Sequence, residues 1–65
     1  MYGRAYIQNG VVIALHVSDQ PINIIMIDGT DLYDLELTHS IPYDQISFDG
    51  AKVIGESVTS CVKVS

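Results

Sequence analysis

The clearest alternation in the chain lies over Leu32 to Thr38, where Tyr33, Leu35 and Leu37 alternate with Asp34, Glu36 and Thr38. Side chains of a strand point to opposite faces with a period of two, so this segment predicts a half-buried strand. The same reasoning predicts a strand over Arg4 to Gln8 and another over Val11 to Val17. In the latter, Val11, Ile13, Leu15 and Val17 share one face and Val12, Ala14 and His16 the other. A third run, Ile22 to Ile27, sets Ile22, Ile24 and Met26 against Asn23, Ile25 and Ile27. Tyr43 to Phe48, Ala51 to Ile54 and Ser57 to Val64 complete the set, the last with Val58, Val62 and Val64 opposite Thr59, Cys61 and Lys63.

Turn residues separate these runs. Asn9-Gly10 is the strongest, because both central positions of a type I′ hairpin turn need positive φ. Asp28-Gly29, His39-Ser40-Ile41-Pro42 and Asp49-Gly50 punctuate the rest. No stripe with a 3.6-residue period extends over more than two turns. The pattern predicts one small all-β domain over residues 1–65. It is an antiparallel meander forming a barrel or sandwich of about five to seven short strands.

Strands that are apolar on both faces need cover on both faces. The runs at Val11–Val17 and Ile22–Ile27 are of that kind, and 65 residues is a short chain in which to curl a sheet over both. Below about 70–80 residues a lone core barely offsets the entropy of ordering the chain, and small domains use a disulfide, a metal or a partner. Cys61 is the only cysteine, so an internal disulfide is excluded. The fold is therefore expected to be completed by oligomerisation, with Val12, Ala14, Ile25 and Ile27 as candidate contacts to another subunit.

Composition narrows the function classes. Eight acids against three bases give a net charge of −5, which disfavours direct binding to nucleic acid. The longest unbroken apolar run, Val11 to Leu15, is far short of the roughly 20 residues of a membrane span, and no signal peptide is readable. Charge is also unevenly placed. Between Arg4 and Lys52 stand seven acids and no Lys or Arg. Asp28, Asp31, Asp34 and Glu36 form the densest acidic segment and are the candidate acidic surface. Such a surface attracts basic partners, or simply keeps an apolar protein in solution.

Candidate chemistry is sparse. Cys61 sits late in a strand with no activating neighbour in sequence, the reading of a small buried hydrophobe. His16 and His39 stand apart, and no zinc-ligand spacing exists. The acidic loop at Asp28–Asp31 does not match an EF-hand calcium loop. The five glycines are isolated and build no phosphate loop. No catalytic residue, cofactor or metal is expected.

Two segments carry a resemblance. The order Ala5-Tyr6-Ile7-Gln8-Asn9-Gly10-Val11-Val12 and the later Ser47-Phe48-Asp49-Gly50-Ala51-Lys52-Val53 are similar to pieces of small bacteriophage proteins associated with tails and tail fibres. Those proteins open with a Y-x-I-x-x-G-x-V hairpin and carry an aromatic-Asp-Gly turn further on. The resemblance implies a virion structural or accessory component, in the virion or the host cytoplasm, that associates with itself or with other structural subunits and is not an enzyme. The alternative, resting on the acids alone, is an inhibitor that fills a basic cleft of a host nucleic-acid-handling protein.

Overall fold

A computed structural model describes residues 1–23 and 27–64. The expected all-β class is what it contains: six strands and one short 3₁₀ turn. Strand β1 covers Tyr2–Gln8, β2 Val11–Ser18, β3 Asp31–Leu37, β4 Ser47–Asp49, β5 Lys52–Ile54 and β6 Val58–Lys63. Four of them form an antiparallel sheet in the order β2-β1-β3-β6, and β4 and β5 form a separate hairpin.

This order is not a simple meander. β2 and β3 both run antiparallel to β1 and lie on its two sides, so they run parallel to each other. The chain must therefore return from the Tyr2 end of the sheet to its Ile7 end between Ser18 and Asp31. The strand expected over Ile22–Ile27 is not seen at Ile22, Asn23 or Ile27; Ile24, Ile25 and Met26 lie outside the described residues. The other elements follow their turn chemistry. Asn9 and Gly10 have φ of 52° and 76°, so β1 and β2 are joined by the two-residue turn that Asn-Gly predicts. β4 and β5 are joined by Gly50-Ala51, with Gly50 at φ 54° in the first central position. The hairpin thus turns one residue later than Asp49-Gly50 suggested. Where a strand was expected from Tyr43, Pro42 instead leads into a 3₁₀ turn over Tyr43–Gln45, and pairing begins only at Ser47.

Two bulges reset the faces. Ala14 opposes Tyr6 and Val12 opposes Ile7, which leaves Ile13 as an extra residue in β2. An extra residue reverses the alternation beyond it. Val12 therefore joins Leu15 and Val17 against the core, not Ala14 and His16 as expected. In β6, Thr59 is the extra residue: Glu36 opposes Ser60 and Leu37 opposes Val58. Val58 and Cys61 consequently both pack on the core, while Val62 points away from it.

The core lies between the sheet and the hairpin. Ala5 and Ile7 of β1 and Tyr33, Leu35 and Leu37 of β3 supply the sheet side; Ile41, Ile46 and Val53 supply the other. The inward set Tyr33, Leu35 and Leu37 is the one the alternation predicts. Phe48 adds a tilted ring contact with Tyr33, centroids 5.8 Å apart. β4 packs near β2 and β5 near β6, so the hairpin spans the sheet from one edge to the other without closing it into a barrel.

Candidate functional site

The far face of the sheet is where the sequence expectations and the structure part most. It carries Tyr2, Arg4 and Tyr6 on β1 and Leu32, Asp34 and Glu36 on β3, paired Tyr2 with Glu36, Arg4 with Asp34 and Tyr6 with Leu32. Arg4, Tyr6 and Leu32 are buried within the single chain. Pro21 and Ile22, from the return connection, stand beside Tyr2 and Asp34. The centre of this face thus needs no second subunit to cover it.

Arg4 holds Asp34 with two prongs, Nε to Oδ1 at 2.7 Å and Nη2 to Oδ2 at 3.1 Å. The hydrogen bond to Asp34 raises the guanidinium above its ordinary value, against the opposing effect of burial. At the sheet's far end Lys63 Nζ stands 3.9 Å from Asp31 Oδ1, both exposed. The acidic segment that looked unopposed in sequence is met in space by cations from the two ends of the chain. Asp28 and Glu36 remain exposed, and Asp34, expected outward in solvent, is half-buried against Arg4. A calcium site at this segment would compete with both cations, and the described residues contain no cluster of three or more His, Cys, Asp or Glu.

One cluster escaped the sequence reading. His39 and Ser57 lie 18 residues apart, yet the Ser57 Oγ is 3.0 Å from His39 Nε2, and Thr38 Oγ1 is 3.0 Å from His39 Nδ1. They border a cleft of about 410 Å³ with Ile41, Gln45 and Glu56. Both residues sit in polar connections, where no spacing rule links them; the Thr38 N–H to Ser57 carbonyl bond brings them together. A serine–histidine contact invites comparison with a hydrolase. However, the Ser57 Oγ is also 3.4 Å from His39 Nδ1. An oxygen on the Nε2 lone-pair axis would lie about 5 Å from the other ring nitrogen, so this one sits well off that axis, over the ring. The contact is off-axis, and it lacks the alignment by which a histidine takes a serine proton.

The remaining candidate is the edge strand β2. Its eight residues, Val11 to Ser18, include no Lys, Arg, Asp, Glu or Pro. Such residues are the usual guards of an exposed edge. Val11 is 60% exposed and Ile13 46%, while Ala14 and His16 are exposed and Leu15 and Val17 half-buried. Among the expected contact residues, Ala14 lies here on the far face. Val12 faces the core, Ile27 is exposed outside any strand, and Ile25 lies outside the described residues. The structure thus places the three described ones apart. The opposite edge, β6, is shorter, is bulged at Thr59, ends in Lys63 and has β5 packed near it.

No protein-family model matches the chain, and neither the curated proteins nor the solved structures contain a significant match. Among the described residues no helix is long and apolar enough to cross a membrane.

Proposed function

We propose that this chain is a non-enzymatic structural module that assembles with copies of itself, or with other structural subunits, through the open edge of β2. One observation carries the reading: β2 is a long edge strand without Lys, Arg, Asp or Glu, with exposed Val11 and Ile13 and, among the described residues, no strand on its outer side. The free N–H and C=O groups of such an edge form a ready template for another strand. In a chain this small, the area gained by pairing also supplements a core that barely stabilises the fold alone. The opening hairpin, which delivers β2 to the edge, is the part that resembles small phage tail-associated proteins. In that setting the module is a tail or capsid accessory component of a virion, belonging to the virion or the host cytoplasm.

Light scattering coupled to size-exclusion chromatography tests the reading. We expect a dimer or larger species at micromolar concentration that is largely indifferent to added salt, since β2 carries no charge. A monomer up to near-millimolar concentration would refute self-assembly. Salt-sensitive capture of a basic protein would favour the acidic segment as the working surface instead.

A further inference from the structure

Assembly through β2 leaves open which partner meets it and in what register; the following rests on that reading. The two ends of β2 differ. At its beginning, the Tyr43 hydroxyl donates to the Val12 carbonyl, and Gly10 to Val12 border the surface formed by Tyr43 to Phe48. Ile13 is the bulge. Only Ala14 to Ser18 is regular strand, matched residue by residue with Tyr2 to Tyr6. Beyond it, Gln20 N–H donates to the Ser18 hydroxyl at 3.1 Å and ends the strand. The free edge is therefore a five-residue segment with His16 at its centre.

We infer that this segment pairs antiparallel with the same segment of a second copy, about a two-fold axis at His16. In an antiparallel pair, opposed residues share a face. This register sets Leu15 against the partner's Val17, and Val17 against the partner's Leu15, on the core side. Both residues are half-buried at the rim of the core, so pairing joins two small cores into one. On the far side, His16 meets His16 of the partner subunit, and the small Ala14 meets the partner's Ser18. Moving the axis by one residue to either side brings fewer residues of the regular segment into pairing.

Charge selects the second copy over an unlike partner. Two chains of net charge −5 repel, and they meet most cheaply where the local charge is lowest. β2 itself contains no acid: the acids of β3 lie two strands away, about 10 Å, roughly a Debye length at physiological salt, and Asp19 follows just past the pairing segment. A basic partner would be drawn to Asp28 and Glu36, not to an uncharged edge. The dimer is isologous, and it joins two four-stranded sheets into one continuous antiparallel sheet.

The test uses two variants. His16→Lys sets two ammonium groups against each other and next to two Arg4 side chains, since Arg4 opposes His16 on β1. We expect the dimer dissociation constant to rise at least tenfold with the circular-dichroism spectrum unchanged, because His16 is exposed. In a Cys61→Ala background, His16→Cys should form an intermolecular disulfide under mild oxidation, because directly opposed strand residues fall within disulfide reach. The matching Val11→Cys should not, since this register, with the Ile13 bulge, separates the two positions by about 27 Å. If the protein dimerises but His16→Lys is silent and the position-16 cysteine cross-links no faster than the position-11 cysteine, this register is wrong while self-assembly stands. If the wild type is monomeric throughout, both are wrong.

Discussion

Arg4 and Asp34 face each other across β1 and β3 and share both oxygens of one carboxylate, although 30 residues separate them. The partners are unequally buried: the Arg4 side chain is 11% exposed and that of Asp34 47%. Removing the carboxylate takes two hydrogen bonds from a buried guanidinium, whereas removing the guanidinium leaves a carboxylate that water still reaches. We therefore expect Asp34→Ala to destabilise by about 1–2 kcal/mol, discounted from a fully buried pair for solvent screening, and Arg4→Met by less. Urea titration of both variants measures the asymmetry. Because the pair raises the Arg4 pKa, its contribution is complete below the unfolded value and is lost only as pH rises past it. The Arg4 side of the pair therefore adds no pH dependence across the neutral range.

The turn at Asn9-Gly10 is constrained by backbone alone. Gly10 sits at φ 76°, and a Cβ placed there meets nothing within 4 Å. Gly10→Val thus pays only for left-handed backbone in a β-branched residue, about 1 kcal/mol or more. For a domain of this size that corresponds to a melting temperature about 4–8 °C lower per kcal/mol. Thermal unfolding by circular dichroism reads the shift.

Gly55 is limited by space instead. A Cβ there would stand 3.0 Å from Ile46 Cγ2 and 3.2 Å from the backbone oxygen of Gln45. The oxygen belongs to the 3₁₀ turn and yields less readily than a side chain. Gly55→Ala should cost about 1–3 kcal/mol by overpacking, and the loss should show in the urea midpoint rather than in the slope.

Paired and unpaired acids should behave differently. Asp28→Asn and Glu36→Gln alter exposed groups outside the two ion pairs, and each should move stability by no more than about 0.5 kcal/mol. Neither should change the sedimentation of the assembly. A loss of assembly in either variant would transfer the contact from β2 to the acidic segment.

The outline of the fold was legible where local chemistry decides it. Asn9-Gly10 marks the first hairpin, and Tyr33, Leu35 and Leu37 mark the inner face of β3. What was not legible is what a single extra residue or a distant strand decides. Nothing in Val12-Ile13-Ala14 or Val58-Thr59-Ser60 announces a bulge, yet each one moves a valine to the other face. The strand order also hid the pairing of Arg4 with Asp34, because a meander keeps β1 and β3 apart. It hid as well the burial of Tyr6 and Leu32 on the far face. The two-sided apolar character of Val11–Val17 was a sound signal with a different cause: part of β2 turns to the core through the bulge, and the rest lies on an open edge. The contact of His39 with Ser57 depends on two polar connections meeting, which no spacing in the sequence encodes.

The most direct measurement of edge pairing is amide hydrogen exchange of Ala14 to Ser18 as a function of protein concentration. Outward amides of an unpaired edge strand exchange with solvent, and a second strand protects them. If β2 is the assembly edge, alternate amides in this segment become more protected as concentration rises, while those of β3 and of the β4–β5 hairpin do not change. Exchange at Ala14–Ser18 that stays fast at every concentration would contradict assembly through β2.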